Sequence, residues 1–371
     1  MKITRIESFA VRIPLTPERR MISALGQHTV SDYALVRVST DAGIEGVGEA
    51  TVMSRWSGET VWSATSIVDH VFGPLLVGCD PCDIEGVDSV MDAAAQDNWF
   101  AKSAIEMACW DIRGKEAGKP VYELLGGAVR DRTIKCRFSM GAYPPERARA
   151  TVERLIEEGF ETIKVKVGTD LREDVERVRI VREVIGADRE ITIDANCGWD
   201  AATSIAAVKE MEPYNVVLFE QPTPRDDYAA LAEVRRNIGM PVMADDIVFD
   251  LNHARECIRN DACDLISLYP GKNGGIRKAK EIAEFAEGHN VACSIGSNLE
   301  WNIASAAMCH LVVTTRNMQV EKYPGDILGP KYHEFAVVKD PLTLEGPCIT
   351  CPDKPGLGVE VDWEVVEGNL I

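Results

Sequence analysis

Three acidic residues follow short apolar runs at regular intervals. Asp194 ends the run I-T-I-D, Glu220 ends V-V-L-F-E and Asp245 ends P-V-M-A-D, so successive acids are 26 and 25 residues apart. This interval accommodates one strand, one helix and two loops. In a parallel β/α barrel it brings three carboxylates from adjacent strand ends to one place. Carboxylate oxygens are preferred ligands of Mg²⁺, so the spacing predicts a magnesium site, with Mn²⁺ as the alternative cation.

A fourth apolar run, T-I-K-V-K, carries two lysines, Lys164 and Lys166. Residues two apart on a strand point to the same face, so both ammonium groups face one side of the strand. A lysine pair beside a metal indicates removal of a proton next to a metal-bound carboxylate. A single acid at a strand end is as well explained as a helix cap. Three acids on successive strands beside two lysines favour a catalytic site.

Composition and charge restrict the partners. The chain has 371 residues and a formal net charge of −19, which argues against nucleic acid or an anionic membrane surface as a partner. A small carboxylate substrate stays possible, because a metal and lysines reverse the sign of the charge inside a pocket. No apolar stretch approaches the roughly 20 residues that span a bilayer. The N-terminus has no signal-peptide pattern, so we expect a cytoplasmic protein.

The eleven cysteines include two C-x-x-C pairs, Cys79 with Cys82 and Cys348 with Cys351. Together they could form a four-cysteine zinc site, but almost 270 residues separate the pairs and the second reads as a strand. Reduced thiols in a cytoplasmic protein are the preferred interpretation.

The order of elements predicts two domains and a returning segment. Antiparallel strand patterns followed by helices predict an α+β domain over residues 1–127. Short apolar strands alternating with charged helices then predict a parallel β/α barrel over 128–340, and residues 341–371 are expected to pack back on the first domain. The eight predicted barrel strands are I-K-C-R-F-S-M, T-I-K-V-K-V, I-T-I-D-A-N, V-V-L-F-E-Q-P, P-V-M-A-D-D, L-I-S-L-Y-P, V-A-C-S-I-G-S and M-Q-V-E-K-Y.

Short motifs across nearly the whole chain resemble those of the enolase superfamily. They are K-V-K (164–166), D-A-N (194–196), E-Q-P (220–222), A-D-D (244–246), K-N-G-G (272–275) and N-L-E (298–300). The segment S-R-W-S-G-E-T (54–60) is similar to a loop of the muconate-lactonising and dipeptide-epimerase branch, within the muconate-lactonising enzyme and mandelate racemase family. The resemblance implies an α/β fold, a modified (β/α)8 TIM-type barrel with an N-terminal α+β capping domain. It also implies a homo-oligomer.

The resemblance implies roles for residues at matching positions. Asp194, Glu220 and Asp245 would bind Mg²⁺, and Lys166 would be the general acid/base. Lys164 would lower the pKa of Lys166 and stabilise the developing oxyanion.

Several further positions are expected near the substrate or the metal site. Asn196 is expected to touch the substrate, and Glu300 to lie near its carboxylate or on a proton path. Lys272 would bind substrate, act as a second acid/base or support the metal site. Asp326 would hold an ammonium or hydroxyl group of the substrate, or would only order a turn. Arg55, Trp56 and the segment R-R-M-I-S-A-L-G-Q-H are lid candidates, whereas His28 in that segment shows no partner in the sequence.

Two departures from the family pattern bear on the reaction. Aligned on Gly274 and Gly275, Lys272 matches the second lysine of K-x-x-K-x-G-G, but Tyr269 stands where the first lysine is usual. The acid/base on the opposite face is therefore missing or is a phenol. Asp246 also replaces a common glutamate, and the seventh strand has no histidine of the mandelate-racemase type.

The missing lysine favours chemistry on one face of the substrate. A muconate-type cycloisomerase is the first expectation, and syn β-elimination of water by an acid-sugar or hydroxy-acid dehydratase is the second. Racemisation or epimerisation comes third, because Tyr269 is a poor base at its ordinary pKa of about 10. A sugar isomerase is disfavoured by the lack of strand-end histidines, and a non-catalytic barrel by the intact acids and lysines.

Overall fold

A three-stranded antiparallel sheet and a short hairpin begin the chain in the computed structural model, which describes residues 1–371. Strands β1 (Ile3–Pro14), β4 (Val30–Thr40) and β5 (Glu45–Thr51) pair in the order β1-β4-β5, and β2 (Met21–Ser23) pairs with β3 (Gly26–His28). The hairpin is held over the barrel, because the Ala142 amide donates to the Ile22 carbonyl at 2.7 Å and the Tyr143 hydroxyl donates to the Arg20 carbonyl at 2.9 Å.

A long helix, Trp99–Ala117, packs across this sheet. The approach is close, since a Cβ atom on Gly48 would lie 1.7 Å from the Ala104 carbonyl oxygen, and only glycine permits it. The helix ends at Gly118, which adopts the left-handed conformation with φ 63°. The other helices of this part are Ser54–Ser57, Val61–Ile67, Gly73–Leu76, Ile84–Ala94 and Val121–Leu124, with a π-helical turn at Val68–Phe72.

Seven parallel strands form the curled sheet of the barrel. They are β7 (Phe138–Met140), β8 (Thr162–Lys166), β9 (Glu190–Asp194), β10 (Val216–Glu220), β11 (Val242–Ala244), β12 (Leu265–Leu268) and β13 (Ala292–Ile295), adjacent in chain order. The helices between and after them are Pro145–Glu157, Leu171–Ile185, Ala201–Met211, Tyr228–Asn237, Leu251–Arg259, Pro270–Asn273, Ile276–Glu287 and Asn302–Thr314. None of the helices has the length and apolarity needed to cross a membrane.

The register of the sheet aligns the predicted site. Lys166 is the partner of Asp194, and Asp194 is in turn the partner of Glu220. Paired residues of parallel strands point to the same face, so these three side chains form a row at the carboxyl ends of the strands. This edge is where barrel enzymes carry their chemistry.

Two of the predicted strands are corrected by the structure. M-Q-V-E-K-Y does not form an eighth strand: only Met318 bridges to Cys293, and a turn follows at Lys322 and Tyr323. Pro324, next in the chain, has no N–H to continue a ladder. The first predicted strand is divided, because β6 (Thr133–Lys135) pairs with C-terminal residues and only β7 joins the barrel sheet.

The C-terminal segment contacts both domains. Strands β14 (Leu344–Glu345) and β15 (Cys348–Thr350) form a small sheet with β6, and the helix Trp363–Glu367 follows. The Ile371 amide then donates to the Ala10 carbonyl of β1 at 3.0 Å. The division at residues 127 and 340 stays a prediction. All eleven cysteines are free thiols.

Carboxylates of the N-terminal domain cap helices of the barrel. Glu49 accepts hydrogen bonds from the Trp301 and Ala304 amides, at 2.7 and 3.1 Å, at the start of the helix Asn302–Thr314. Glu106 accepts from the Ile276 and Arg277 amides, both at 2.9 Å, at the start of Ile276–Glu287. Helix N-termini leave amide donors without partners, so these bonds join the two domains where a polar group would otherwise be unsatisfied.

The buried cap at Glu49 predicts a pH-dependent stability. Burial raises its pKa to about 7 from an ordinary 4.5, so the folded chain holds this proton more tightly than the unfolded chain. This tighter binding of the proton stabilises the folded chain. The stabilisation is at its full value below about pH 4.5 and is lost as the pH rises towards 7. We expect the difference in unfolding free energy between the native chain and Glu49→Gln to fall by at most about 3 kcal/mol between pH 5 and pH 8, measured by urea denaturation. Glu153→Gln, at an exposed position, is the control, and a difference that does not change with pH would contradict the assignment.

Candidate active site

A cavity of about 450 Å³ lies between the carboxyl ends of the barrel strands and the N-terminal domain. Its barrel floor is lined by Ser139, Lys164, Lys166, Asn196, Asp245, Asp246, Tyr269 and Asp326. Its other wall comes from the β2–β3 hairpin and residues 52–62, which include the lid candidates Arg55 and Trp56. Arg55 Nη1 donates to the Leu25 carbonyl of the hairpin turn at 2.8 Å, so the two lid segments support each other.

Lys164 lies between two of the predicted metal ligands. Its ammonium is 2.8 Å from Asp194 Oδ2 and 2.6 Å from Glu220 Oε1, and Arg137 Nη2 is 3.1 Å from the other Glu220 oxygen. Desolvation and Arg137 lower the pKa of Lys164, but the adjacent Asp194 and Glu220 raise it above its ordinary value overall. Lys164 is therefore a fixed cation that balances buried negative charge rather than a proton carrier.

Lys166 is the lysine that reaches the cavity. Its Nζ atom is 2.6 Å from Asp194 Oδ2 and 2.7 Å from Asn196 Oδ1. Asn196 has φ 42°, a left-handed conformation that asparagine tolerates better than most residues, and this turns its amide towards Lys166. Burial of Asp194 opposes its ionisation, yet Lys164 and Lys166 hold its pKa well below the usual range. A proton on Lys166 can thus move to a substrate while Asp194 stays charged.

Asp245, the third predicted ligand, is held by Lys272. The Lys272 ammonium contacts the Asp245 carboxylate and donates to the Asp245 and Ser267 carbonyls at 2.9 and 2.8 Å. Lys272 is fully buried and does not line the cavity. All three of its donors are used within the chain, so it has none left for a substrate.

Asp246 lines the cavity beside Asp245, and its Oδ2 atom has no hydrogen-bond partner. Burial, reinforced by the neighbouring Asp245 and Asp194, raises its pKa to about 8. A buried carboxyl of this kind is a hydrogen-bond donor as well as an acceptor at neutral pH.

Tyr269 closes one side of the floor. Its ring stacks on Trp56 of the lid, with centroids 5.7 Å apart and planes at 17°. Burial, together with Asp245 and Glu300, raises its pKa well above 10. The side chain therefore presents a neutral phenol, which can donate a hydrogen bond but is a poor base.

The remaining predicted residues lie in different surroundings. Glu300 is buried, accepts from Ser297 Oγ at 2.7 Å and from the Asn298 amide at 2.9 Å, and does not line the cavity. Burial raises its pKa to about 8. Asp326 accepts from the Leu328 amide at 3.0 Å, as expected of a residue that orders a turn, and it also lines the cavity, where its contact with a substrate stays a prediction.

Sequence reasoning missed two residues at the first barrel strand, Arg137 directly before β7 and Ser139 within it. Arg137 contacts Glu220 and also donates from Nη1 to Ser139 Oγ at 3.1 Å, and Ser139 lines the cavity. Their signal was available, because residues 137 and 139 alternate on a strand adjacent to Lys164 and Lys166 and so face the same side.

The donor set suits a hard divalent cation, although the carboxylates contact lysines. Asp194, Glu220 and Asp245 are buried, offer only oxygen donors and stand at adjacent strand ends. Their oxygens are paired with Lys164, Lys166 and Lys272, and no group of three acidic, histidine or cysteine side chains is gathered as a metal cluster. Oxygen donors of this type fit Mg²⁺ or Mn²⁺ once the lysine contacts are exchanged for the ion.

Comparison with known families identifies the family to which this chain belongs. Residues 6–126 match the N-terminal domain of the mandelate racemase / muconate lactonizing enzyme family, and residues 147–365 match the enolase C-terminal domain-like family. The chain belongs to the enolase superfamily. It is an enzyme of that superfamily, whose members bind Mg²⁺.

Relatives in the superfamily carry several activities. The chain is 31% identical to the N-succinyl-L-Arg/Lys racemase of Bacillus cereus, over 99% of this chain and 97% of the relative. It is 29% identical to muconate cycloisomerase 1 of Rhodococcus opacus, over 99% and 98%. It is 32% identical to the cis-3-hydroxy-L-proline dehydratase of Roseibium aggregatum, again over 99% and 98%.

Solved structures of superfamily members share the whole fold. The crystal structure of the Bacillus cereus racemase aligns with a TM-score of 0.95 at 30% identity, covering 100% of this chain and 98% of that one. A dipeptide epimerase from Enterococcus faecalis V583, solved as a complex with Mg and the dipeptide L-Leu-L-Tyr, aligns with a TM-score of 0.91 at 30% identity, covering 97% and 100%. The fold and family predicted from the motifs are confirmed.

The two lysines of β8 should differ in their effect on stability. Lys164→Met leaves Asp194 and Glu220 facing each other without the shared cation, and we expect a loss of about 3 kcal/mol or more in unfolding free energy. Lys166→Met leaves Lys164 on Asp194 and removes an ammonium that borders the cavity, so we expect a smaller loss than for Lys164→Met. Urea denaturation at pH 7 without added divalent cations measures both, and equal losses would contradict this assignment.

Proposed function

We propose that this enzyme moves one proton at the α-carbon of a small carboxylate, with Lys166 as the acid/base and Mg²⁺ as cofactor. The observation that carries the proposal is the asymmetry of the cavity floor. The Lys166 ammonium borders the cavity on one side, and the sixth strand supplies the neutral phenol of Tyr269 where a second lysine is usual.

Each side chain has a part in this chemistry. Asp194, Glu220 and Asp245 would hold the Mg²⁺, which when bound supplies positive charge to stabilise the negative charge that develops on the substrate carboxylate. Lys166 takes or gives the proton, and Asn196 orients its ammonium. Lys164 and Arg137 keep the acids in place, and Lys272 positions Asp245.

A muconate-type cycloisomerase is the first candidate reaction. Ring closure of a conjugated acid to a lactone, or the reverse, needs one proton on one face, which Lys166 provides. Similarity to muconate cycloisomerase 1 over 99% of the chain supports this candidate.

Elimination of water from an acid sugar or hydroxy acid is the second candidate, and one feature of the cavity favours it. Asp246 and Asp326 line the floor, and Asp32 lies in the opposite wall. The buried Asp246 carboxyl is neutral at neutral pH and its Oδ2 atom has no partner in the chain, so it can exchange hydrogen bonds with a substrate hydroxyl. In a syn elimination, Lys166 would take the α-proton and return it to the departing hydroxyl.

Racemisation is disfavoured by the state of Tyr269. Inversion of a carbon centre needs an acid/base on each face, and a phenol whose pKa lies well above 10 does not remove a proton at neutral pH. The racemase and epimerase names among the relatives describe those proteins.

Replacement of Lys166 by alanine should abolish proton exchange. NMR in D₂O with Mg²⁺ would follow α-proton exchange and product formation across muconates, acid sugars, hydroxyprolines and N-acylamino acids. We expect the rate to fall about 10³-fold, within the range of lost general acid–base catalysis. Lys322→Ala, on the surface, is the control. Exchange in Lys166→Ala at a rate close to that of the native enzyme would overturn the proposal.

Replacement of Tyr269 by phenylalanine separates one-face from two-face chemistry. The phenol serves only as a hydrogen-bond donor in our proposal, so we expect exchange to fall by about tenfold or less, without change of stereochemistry. The measurement is exchange from each enantiomer of a chiral substrate. If the native enzyme inverts the α-carbon and Tyr269→Phe stops exchange from one enantiomer alone, Tyr269 is the second acid/base.

A further inference from the structure

A chain of buried hydrogen bonds connects the lid of the cavity to the barrel. His28, at the end of β3, lines the cavity, and its Nε2 atom is 2.8 Å from Ser31 Oγ. Ser31 Oγ is 3.2 Å from His333 Nε2, and Tyr33 Oη is 3.0 Å from the same nitrogen. His333 Nδ1 is 2.8 Å from the Gly329 carbonyl oxygen.

The contacts of His333 determine which atom is the donor in each of these hydrogen bonds. A carbonyl oxygen only accepts, so His333 Nδ1 carries a proton. Burial lowers the pKa of His333 to about 3, which keeps the ring neutral and leaves Nε2 as an acceptor. Tyr33 has one proton, and it donates this to the Leu299 carbonyl, so its approach to His333 Nε2 at 3.0 Å is a contact without a shared proton. The donor to His333 Nε2 is therefore Ser31.

The protonation of His28 follows from the same assignment of donors and acceptors. Ser31 has given its proton to His333, so its oxygen accepts from His28, and His28 Nε2 carries a proton. Burial lowers the pKa of His28 to about 4 against the raising effect of Asp32, so this ring is neutral as well. Its Nδ1 atom is then an unprotonated acceptor, and nothing in the chain donates to it.

The other charged groups of this wall are already engaged. Arg12 takes both oxygens of Asp32, at 2.6 and 2.8 Å, and Arg55 donates to the Leu25 carbonyl at 2.8 Å. An acceptor that no group of the chain satisfies, on a side chain that lines the same cavity as Lys166, selects for a donor on a molecule bound there.

We propose that His28 is a specificity-determining residue, which accepts through Nδ1 a hydrogen bond from a hydroxyl or N–H group on the part of the substrate remote from the reacting carboxylate. This inference rests on the proposed function for the existence of a carboxylate substrate and deepens it. It revises the order of the two candidate reactions given above: hydroxylated or N-substituted acids carry a donor for His28, whereas unsubstituted muconate at neutral pH offers a second carboxylate and no donor.

The tautomer is measurable without any substrate. In protein labelled with ¹⁵N at histidine, we expect His28 at pH 7 to show a protonated Nε2 and an unprotonated Nδ1. We expect Ser31→Ala to give a mixture of tautomers. A protonated Nδ1, or an imidazolium, in the native protein would overturn the proposal whatever the enzyme catalyses.

Two amide substitutions of His28 distinguish the role of its Nδ1 atom from that of its Nε2 atom. His28→Asn places an amide oxygen near the position of Nδ1 and gives up the bond to Ser31, whereas His28→Gln can keep the bond to Ser31 and gives up the acceptor at Nδ1. The probes are matched pairs of acids, a hydroxy acid with its deoxy analogue and an N-acylamino acid with the corresponding O-acyl hydroxy acid. Proton exchange gives kcat/KM, and ligand-induced shifts of His28 Nδ1 give binding.

The native enzyme is expected to prefer the donor-bearing member of at least one pair by about tenfold. His28→Gln should lose that preference and His28→Asn should keep most of it, with the hydroxyl and N–H pairs showing which donor is used. An unchanged preference in His28→Gln would refute the role of His28. If no acid exchanges its α-proton, the proposed function fails. The ligand-induced shifts of His28 Nδ1 still test the role of His28. A shift with the donor-bearing acids alone supports that role, and equal or absent shifts overturn it.

Discussion

The shared contact of Lys164 with Asp194 and Glu220 is the interaction on which the site depends. Two carboxylates at adjacent strand ends are fully buried, and without a cation between them each would raise the other's pKa and one would take up a proton. Lys164 supplies this charge from β8, and Arg137 supplies it from the residue directly before β7. Lys164 and Lys166 keep Asp194 ionised in the interior, whereas burial and the neighbouring Asp194 raise the pKa of Glu220 to about 7 against Lys164 and Arg137. Lys166 is the lysine that also faces the cavity.

Much of this arrangement could be predicted from local pattern. The spacing of Asp194, Glu220 and Asp245 reflects the fixed length of a β/α unit, and the alternation of Lys164 and Lys166 reflects the period of a strand. Such rules predict the β/α fold and the row of charged side chains at the carboxyl ends of the strands. They failed at residues 318–323, where apolar alternation predicted a strand and Pro324 together with a turn prevented one.

Other features depend on contacts between residues distant in sequence. Lys272 matched a family motif, but its complete burial against Asp245 and Ser267 follows from packing and is not visible in the motif. His28 showed no partner, because Ser31 is a common neighbour in any strand and His333 lies about three hundred residues away. Desolvation keeps both imidazole rings neutral and their hydrogen-bond partners set the tautomers, and only the folded chain reveals either.

The helix caps given by Glu49 and Glu106 limit how freely the two domains can be exchanged. Each carboxylate belongs to the N-terminal domain, yet it completes a barrel helix that starts just after a strand of the catalytic edge. A chimaera that took its N-terminal domain from a relative without acids at these positions would leave barrel amides exposed to a dry interface. New substrate preferences are therefore more readily acquired by changes within the hairpin and residues 52–62 than by replacement of the whole domain.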